Sequence, residues 1–171
     1  MTAATASPNS DPPPKRSVRS RTALSAAVSD RARILQRLSL DDVPSAVRTL
    51  AVLRRGAGSA PGAVPDIWQD TIGLLPEDLL GRGDTPSPAE CAVHHAMTLF
   101  ALHRQGRVER AHVDGTAPGA AFARLAFTRG GEGNDDEGVR RRFDALITAS
   151  TTAEAAHYLR GLILLARSAD V

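Results

Sequence analysis

The arginines are the side chains of this sequence best suited to bind a ligand. Lys15 is the only lysine among the 21 basic residues, so nearly every positive charge is a planar guanidinium suited to bidentate contacts with phosphate or carboxylate. Arg54 and Arg55 end an apolar run directly before the stretch "GAGSAPG". This arrangement predicts a site that contacts anions, although a GC-rich genome would also replace lysine with arginine.

Arginine recurs beside other predicted helix ends and along predicted helix faces, at Arg104, Arg107, Arg110, Arg140, Arg141, Arg142, Arg160 and Arg167. The helix macrodipole alone favours arginine near a C-terminus, so a single such residue needs no function. The repeated placement beside glycine-rich loops nevertheless indicates anion contacts. Because aromatic residues are not interleaved with these arginines, the pattern favours sequence-independent phosphate contact over base stacking.

The other reactive side chains predict neither catalysis nor a metal site. The sequence has no GxxxxGKS phosphate loop, GxSxG elbow or HExxH motif. His95 and His103 are about 12 Å apart along one predicted helix, too far for one metal, and His94 points about 100° away from His95. Cys91 is a single cysteine, which fits a reducing compartment. We expect no catalytic residue, no metal and no cofactor.

The first 22 residues differ in composition from the rest. They combine three consecutive prolines with small polar residues and several basic ones, which predicts a disordered basic tail over residues 1–22. No segment is long and apolar enough for a signal peptide or a membrane span. The sequence therefore predicts a cytoplasmic protein that does not enter a membrane.

Helical periodicity dominates the remaining chain. Helices are predicted over residues 22–38, 44–56, 67–75, 88–106, 119–130, 139–150 and 153–169. Trp68, Ile72 and Leu75 are predicted to be buried, as are Val139, Phe143, Leu146 and Ile147. The predicted fold is all-α, with about six to eight helices in two small packed bundles, residues 23–110 and 111–171.

Three segments resemble the CasB family, the small subunit of the type I-E CRISPR Cascade surveillance complex. They are "AVRTLAVLRRGAGSAPGAVPDIW", "AECAVHHAMTLFALHRQG" and "GVRRRFDALITASTTAEAAHYLRGLILLAR", in that order. The resemblance implies a non-catalytic helical protein, present as a pair in a complex built on a guide RNA, beside the large subunit and backbone subunits. It also implies contacts with the target and non-target DNA strands, particularly the displaced non-target strand of the R-loop.

The family's basic pair at the end of its second helix corresponds to Arg54 and Arg55. Further candidates for nucleic-acid contact are Arg107, Arg124, Arg140, Arg141, Arg142 and Arg160. One of the three adjacent arginines at 140–142 is expected to lean towards the face that carries Phe143.

Two other interpretations of the arginines stay open. A small helical adaptor or regulator could act through protein–protein contacts alone, with its arginines in solvated faces and salt bridges. A helix-turn-helix reader is a weaker alternative, because no pair of predicted helices has its spacing convincingly.

Overall fold

The computed structural model describes residues 15–131 and 136–171, and it is helical. The helices are α1 (Lys15–Leu40), α2 (Pro44–Gly56), α3 (Pro88–Arg104), α4 (Pro118–Gly130), α5 (Glu137–Ile147) and α6 (Thr152–Ser168). Three short 3-10 segments, Pro65–Asp70, Ile72–Leu74 and Glu77–Leu79, connect α2 to α3. No β-strand occurs within those two ranges. The prediction of an all-α fold is confirmed.

Side-chain caps explain where two of these helices begin. Ser87 and Glu90 form a capping box at α3, in which Glu90 N–H donates to Ser87 Oγ (3.1 Å) and Ser87 N–H donates to Glu90 Oε2 (2.6 Å). At α6, Glu154 N–H donates to Thr151 Oγ1 (3.1 Å), which is one half of a capping box. The Glu154 carboxylate, however, accepts from the backbone of Ser150 rather than from that of Thr151.

The first helix begins earlier than predicted. α1 starts at Lys15 rather than at residue 22, because no proline or glycine follows Pro14 for the length of the helix and arginine is a good helix former. The helix thus takes in the last residues of the predicted tail. Residues 1–14 of that tail, and residues 132–135, lie outside the described residues.

The predicted helix over residues 67–75 is wrong. Gly73 and Pro76 interrupt this stretch, and the residue before a proline is disfavoured in the α conformation, so the chain forms 3-10 segments instead. The three-residue period turns Ile67 inward, with 2 % of its surface exposed, and leaves Trp68 45 % exposed. The predicted burial of Trp68 is therefore also wrong, whereas Ile72 is buried as expected.

Two hydrophobic clusters form the core. The first joins α1, α2, α3 and the 3-10 region through residues such as Leu35, Leu53 and Met97. The second joins α4, α5 and α6 around Leu125 and Leu162. Because α6 also packs against α3, the two clusters adjoin. The proposed domain division near residue 110 falls between them in the sequence and stays a prediction.

One residue predicted to face the second cluster does not. Ile147 is 65 % exposed, since it is the last residue of α5. Val139 is buried, and Phe143 and Leu146 pack partly buried against this cluster. The inward stripe of α5 is therefore shorter than the apolar pattern suggested.

Candidate nucleic-acid interface

The C-terminal end of α2 carries Arg54, which is half-buried, and Arg55, which is exposed. Both lie where the macrodipole is negative and stabilises a cation. Gly56 closes the helix and is buried. It packs so closely against the following segment that a Cβ at this position would lie 2.6 Å from the Ile67 Cδ1 atom. The glycine therefore lets the Pro65–Asp70 segment pack directly against the helix end, which fixes the start of the following loop.

Arg160 of α6 fastens this loop. Its Nη1 donates a hydrogen bond to the carbonyl oxygen of Ala57. Gly58 adopts a φ of 98°, and a Cβ at that position would lie 2.8 Å from Arg160 Nη1. The positive φ favours glycine here, and the hydrogen bond joins the loop of the first cluster to a helix of the second. Arg160, predicted as a contact residue, thus has a positioning role in the free protein.

The end of α3 brings two buried arginines close together. Arg104 and Arg107 are 7 % and 9 % exposed. Arg104 Nη1 donates to the carbonyl oxygen of Arg107, and Arg107 Nη1 donates to the backbone oxygen of Val171 (3.1 Å). Arg107 also lies 3.3 Å from the Asp170 carboxylate. The structure therefore places Arg107, a predicted contact residue, mainly in contacts with the end of the chain that follows α6.

Positive charge concentrates where α2, α3 and α6 meet. Burial lowers the pKa of Arg54, and the positive charge of Arg167 lowers it further. The pKa of Arg104 is lowered by burial and by Arg107, against a smaller opposing effect of Asp42. These shifts have the causes expected of cations that are partly removed from water and repel one another. An anion bound at this junction would relieve both costs.

The other predicted contact residues lie elsewhere. Arg124 is exposed on α4, and Arg140, Arg141 and Arg142 are all exposed on α5. The expectation that one of the three leans towards Phe143 stays a prediction. Arg142 Nη1 donates to the Gly138 carbonyl oxygen at 2.9 Å. The structure thus brings Arg54, Arg107 and Arg160 to one region, and it places these four on helices of the second cluster.

Three residues of this region were not among the candidates for nucleic-acid contact, although Arg104 and Arg167 were among the arginines whose placement indicates anion contacts. Arg104 lies beside Arg54, and Arg167 Nη1 donates to Gln105 Oε1 at 2.7 Å. The seven-residue spacing of Arg160 and Arg167 was the available signal for the latter. Trp68 flanks the loop, since a Cβ at Gly62 would lie 4.0 Å from its ring. Its exposure supplies one aromatic ring beside the loop that follows Arg55, which the sequence pattern did not indicate.

Residues 15–131 and 136–171 contain neither a cluster of metal ligands nor a helix that could span a membrane. Within these ranges, no group of three or more histidine, cysteine, aspartate or glutamate residues could hold a metal ion. No described helix is both long and apolar enough to cross a membrane.

His94 is a buried histidine of the helical core. It has no exposed surface, and neither of its ring nitrogens has a hydrogen-bond partner among the described residues. It lies near the backbone of Gly56 and Ser59, beside the loop that follows α2. Burial, followed by the neighbouring His95, lowers its pKa.

Acidification is expected to destabilise the protein through His94. Because the folded-state pKa is lowered, the unfolded chain binds more protons, so stability is fully present above the ordinary pKa of about 6.5 and is lost as pH falls below it. Burial also lowers the pKa of His95 and His103. We expect the midpoint temperature of thermal unfolding to decrease as the pH is lowered from about 7.5 to about 5.5.

The test compares His94→Leu with His157→Leu, a control at an exposed position of α6. The unfolding midpoint of His94→Leu should depend less on pH than that of the wild type, whereas His157→Leu should follow the wild type. Equal pH dependence in all three proteins would contradict the role assigned to His94.

Comparison with known proteins places this helical arrangement in a class. Residues 49–171 match the family model described as CRISPR-associated protein Cse2. The crystal structure of CasB from Thermobifida fusca is similar, with a TM-score of 0.66 and 33 % sequence identity over 86 % of this chain and 79 % of that one. No curated protein sequence matches the chain.

The fold and the family match define a helical CRISPR-associated protein. More particularly, the chain belongs to the Cse2 (CasB) family. Family membership makes it a small subunit of the type I-E Cascade complex and implies association with other Cascade components. The resemblance seen in the sequence is confirmed.

Proposed function

We propose that this subunit binds nucleic-acid backbones and stabilises the R-loop, in particular the displaced non-target DNA strand, during guide-RNA-directed antiviral targeting in the cytoplasm. It acts without catalytic chemistry. The proposal rests on the two arginines at the C-terminal end of α2. Neither the Arg54 nor the Arg55 side chain has a hydrogen bond or ion pair with another described residue, so their guanidinium groups have donors to offer a phosphate.

Modest contacts of this kind are enough for the proposed role. Exchanging a DNA duplex for an RNA–DNA heteroduplex is nearly balanced in free energy, so contacts between protein and phosphate backbones can tip it. Guide pairing supplies the sequence specificity, which leaves the protein to hold backbones. The loop beginning at Ala57, fixed by Arg160, gives a strand access to both arginines.

The proposed partners follow from this role. They are the large subunit and the backbone subunits of Cascade, the guide RNA, the target and non-target DNA strands, and a second copy of this chain. Arg107, Arg124, Arg140, Arg141, Arg142 and Arg160 remain proposed secondary contact residues. Of these, Arg107 and Arg160 would have to leave or share their present partners, Asp170 and Ala57.

A purely protein-binding adaptor is the second candidate. Several arginines are engaged within the fold, as in the Arg31–Asp70 and Arg129–Asp136 pairs. Large apolar side chains are also exposed, among them Val108 at 88 % and Phe127 at 64 %. These features favour protein contacts, but they leave the unpaired arginines at the end of α2 without a role.

Fluorescence anisotropy of labelled single-stranded DNA, with duplex DNA and RNA for comparison, tests the proposal. We expect binding that depends little on base sequence and that weakens steeply between about 50 and 200 mM salt, as counterion release requires. Quenching of Trp68, the only tryptophan, should accompany binding of the strand beside the loop. No binding at the lowest salt, by the isolated subunit or by the assembled complex, would favour the adaptor.

A further inference from the structure

A cavity of about 320 Å³ lies between the end of α1, the outer face of α2 and the end of α3. Its lining includes Arg54, Arg104 and Arg107, with Val47 on the same wall as Arg54. Asp42 is the one acidic residue among the lining residues, so cations outnumber carboxylates in the cavity. The cavity is separate from the exposed Arg55, which does not line it.

The buried arginines of this cavity are incompletely satisfied. The Nε groups of Arg104 and Arg107 are buried and have no hydrogen-bond partner among the residues that the structure describes. Arg107 is paired with Asp170, but neither Arg104 nor Arg54 forms an ion pair in that part of the chain. A buried donor without an acceptor costs free energy, and a buried guanidinium is ordinarily paired.

We propose that this cavity binds one phosphate-type oxyanion, held by Arg54, Arg104 and Arg107. The oxygens of a tetrahedral phosphate can accept hydrogen bonds from several guanidinium groups at once. Phosphate therefore fits a set of three arginines better than a single carboxylate does. The phosphate could belong to a bound nucleic-acid strand or be free in solution. Only the first source rests on the function proposed above.

The main variant leaves every arginine in place. Val47 is 46 % exposed and lies seven residues before Arg54, so Val47→Glu sets a carboxylate on the cavity wall that competes with the ligand. Val113→Glu makes the same change at a residue that is 56 % exposed and outside this cavity. It serves as the matched control. Arg54→Gln removes one proposed contact without altering the buried pair.

The measurement is the thermal unfolding midpoint during titration with inorganic phosphate at constant ionic strength. Ligand that binds only the folded protein raises this midpoint and saturates. We expect a saturating rise for wild type and Val113→Glu, and an affinity about tenfold or more weaker for Val47→Glu and Arg54→Gln. An equal or non-saturating response in all four proteins would overturn the proposal, because it would be a general salt effect.

A second titration, with a short single-stranded oligonucleotide, distinguishes the two sources. If Val47→Glu weakens oligonucleotide binding more than Val113→Glu does, the cavity takes a phosphate of the strand. If the two variants bind the oligonucleotide alike while their phosphate responses differ, the site takes free phosphate. Phosphate binding without any oligonucleotide binding would leave the cavity site standing and contradict the proposed function.

Discussion

Replacing Arg54 and Arg55 together with alanine is expected to weaken binding of single-stranded DNA by roughly ten- to a hundredfold at low salt. Each guanidinium–phosphate contact is charge-assisted and contributes on the order of 1.5–3 kcal/mol before losses. The slope of log K against log salt should also become shallower by about 1.4, because two phosphate contacts are lost and each contributes about 0.7 on a single strand. Anisotropy titrations at several salt concentrations measure both quantities.

The matched control removes the same charge elsewhere. Arg37 and Arg82 are exposed, and neither lies at the end of α2. Arg37→Ala/Arg82→Ala should retain most of the affinity, since only long-range electrostatics change. Equal losses in the two double variants would mean that net charge, rather than this helix end, determines binding. Arg55→Ala alone then separates the surface contact from the cavity, which Arg55 does not line.

Truncating Leu53 to alanine should cost about 3 kcal/mol of unfolding free energy. Its side chain is fully buried in the first hydrophobic cluster, and leucine-to-alanine changes at such sites lose both transfer free energy and packing around the cavity left behind. That is a large part of the roughly 5–15 kcal/mol available to a protein of ordinary stability. Urea unfolding followed by circular dichroism measures it. Val47→Ala, on the exposed side of the same helix, should cost much less.

The same measurement tests the proposed division into two bundles. Trp68 lies in the region of the first cluster, so its fluorescence reports unfolding there, whereas circular dichroism reports all helices. Leu162 is fully buried in the second cluster. If Leu162→Ala shifts both signals together, the packing of α6 on α3 makes the clusters one cooperative unit. If only the dichroism signal shifts, the two bundles unfold independently.

An unchanged unfolding midpoint in Leu53→Ala would contradict the assigned core.

The parts of the fold that local interactions determine could be predicted from the sequence. Ser87, Pro88 and Glu90 are close enough in sequence to specify the start of α3, and the end of α2 at Gly56 was predicted correctly. The conformation of the segment after α2 was not predicted correctly. Short 3-10 segments have too weak a periodicity in the sequence to be distinguished from a single α-helix. Trp68 was consequently assigned to the wrong side.

The site could be predicted only where it depends on one helix. The adjacent Arg54 and Arg55 are visible as a pair in the sequence. The burial of Arg107, by contrast, depends on Asp170 and Val171, more than sixty residues away. No local pattern reports such a contact, and none indicated that Arg104 would lie beside Arg54 in the same cavity. Contacts between distant helices, rather than helix formation, limited the prediction.

The missing side chain at Gly56 has a consequence for how the family can evolve. Because a methyl group there would collide with the Ile67 side chain, the sizes of these two residues are constrained jointly. A relative with alanine at the first position should carry a smaller residue at the second, so substitutions at the two positions should be correlated across homologues. Such a correlation would record the packing of the helix end in sequence variation, even in members whose arginines differ.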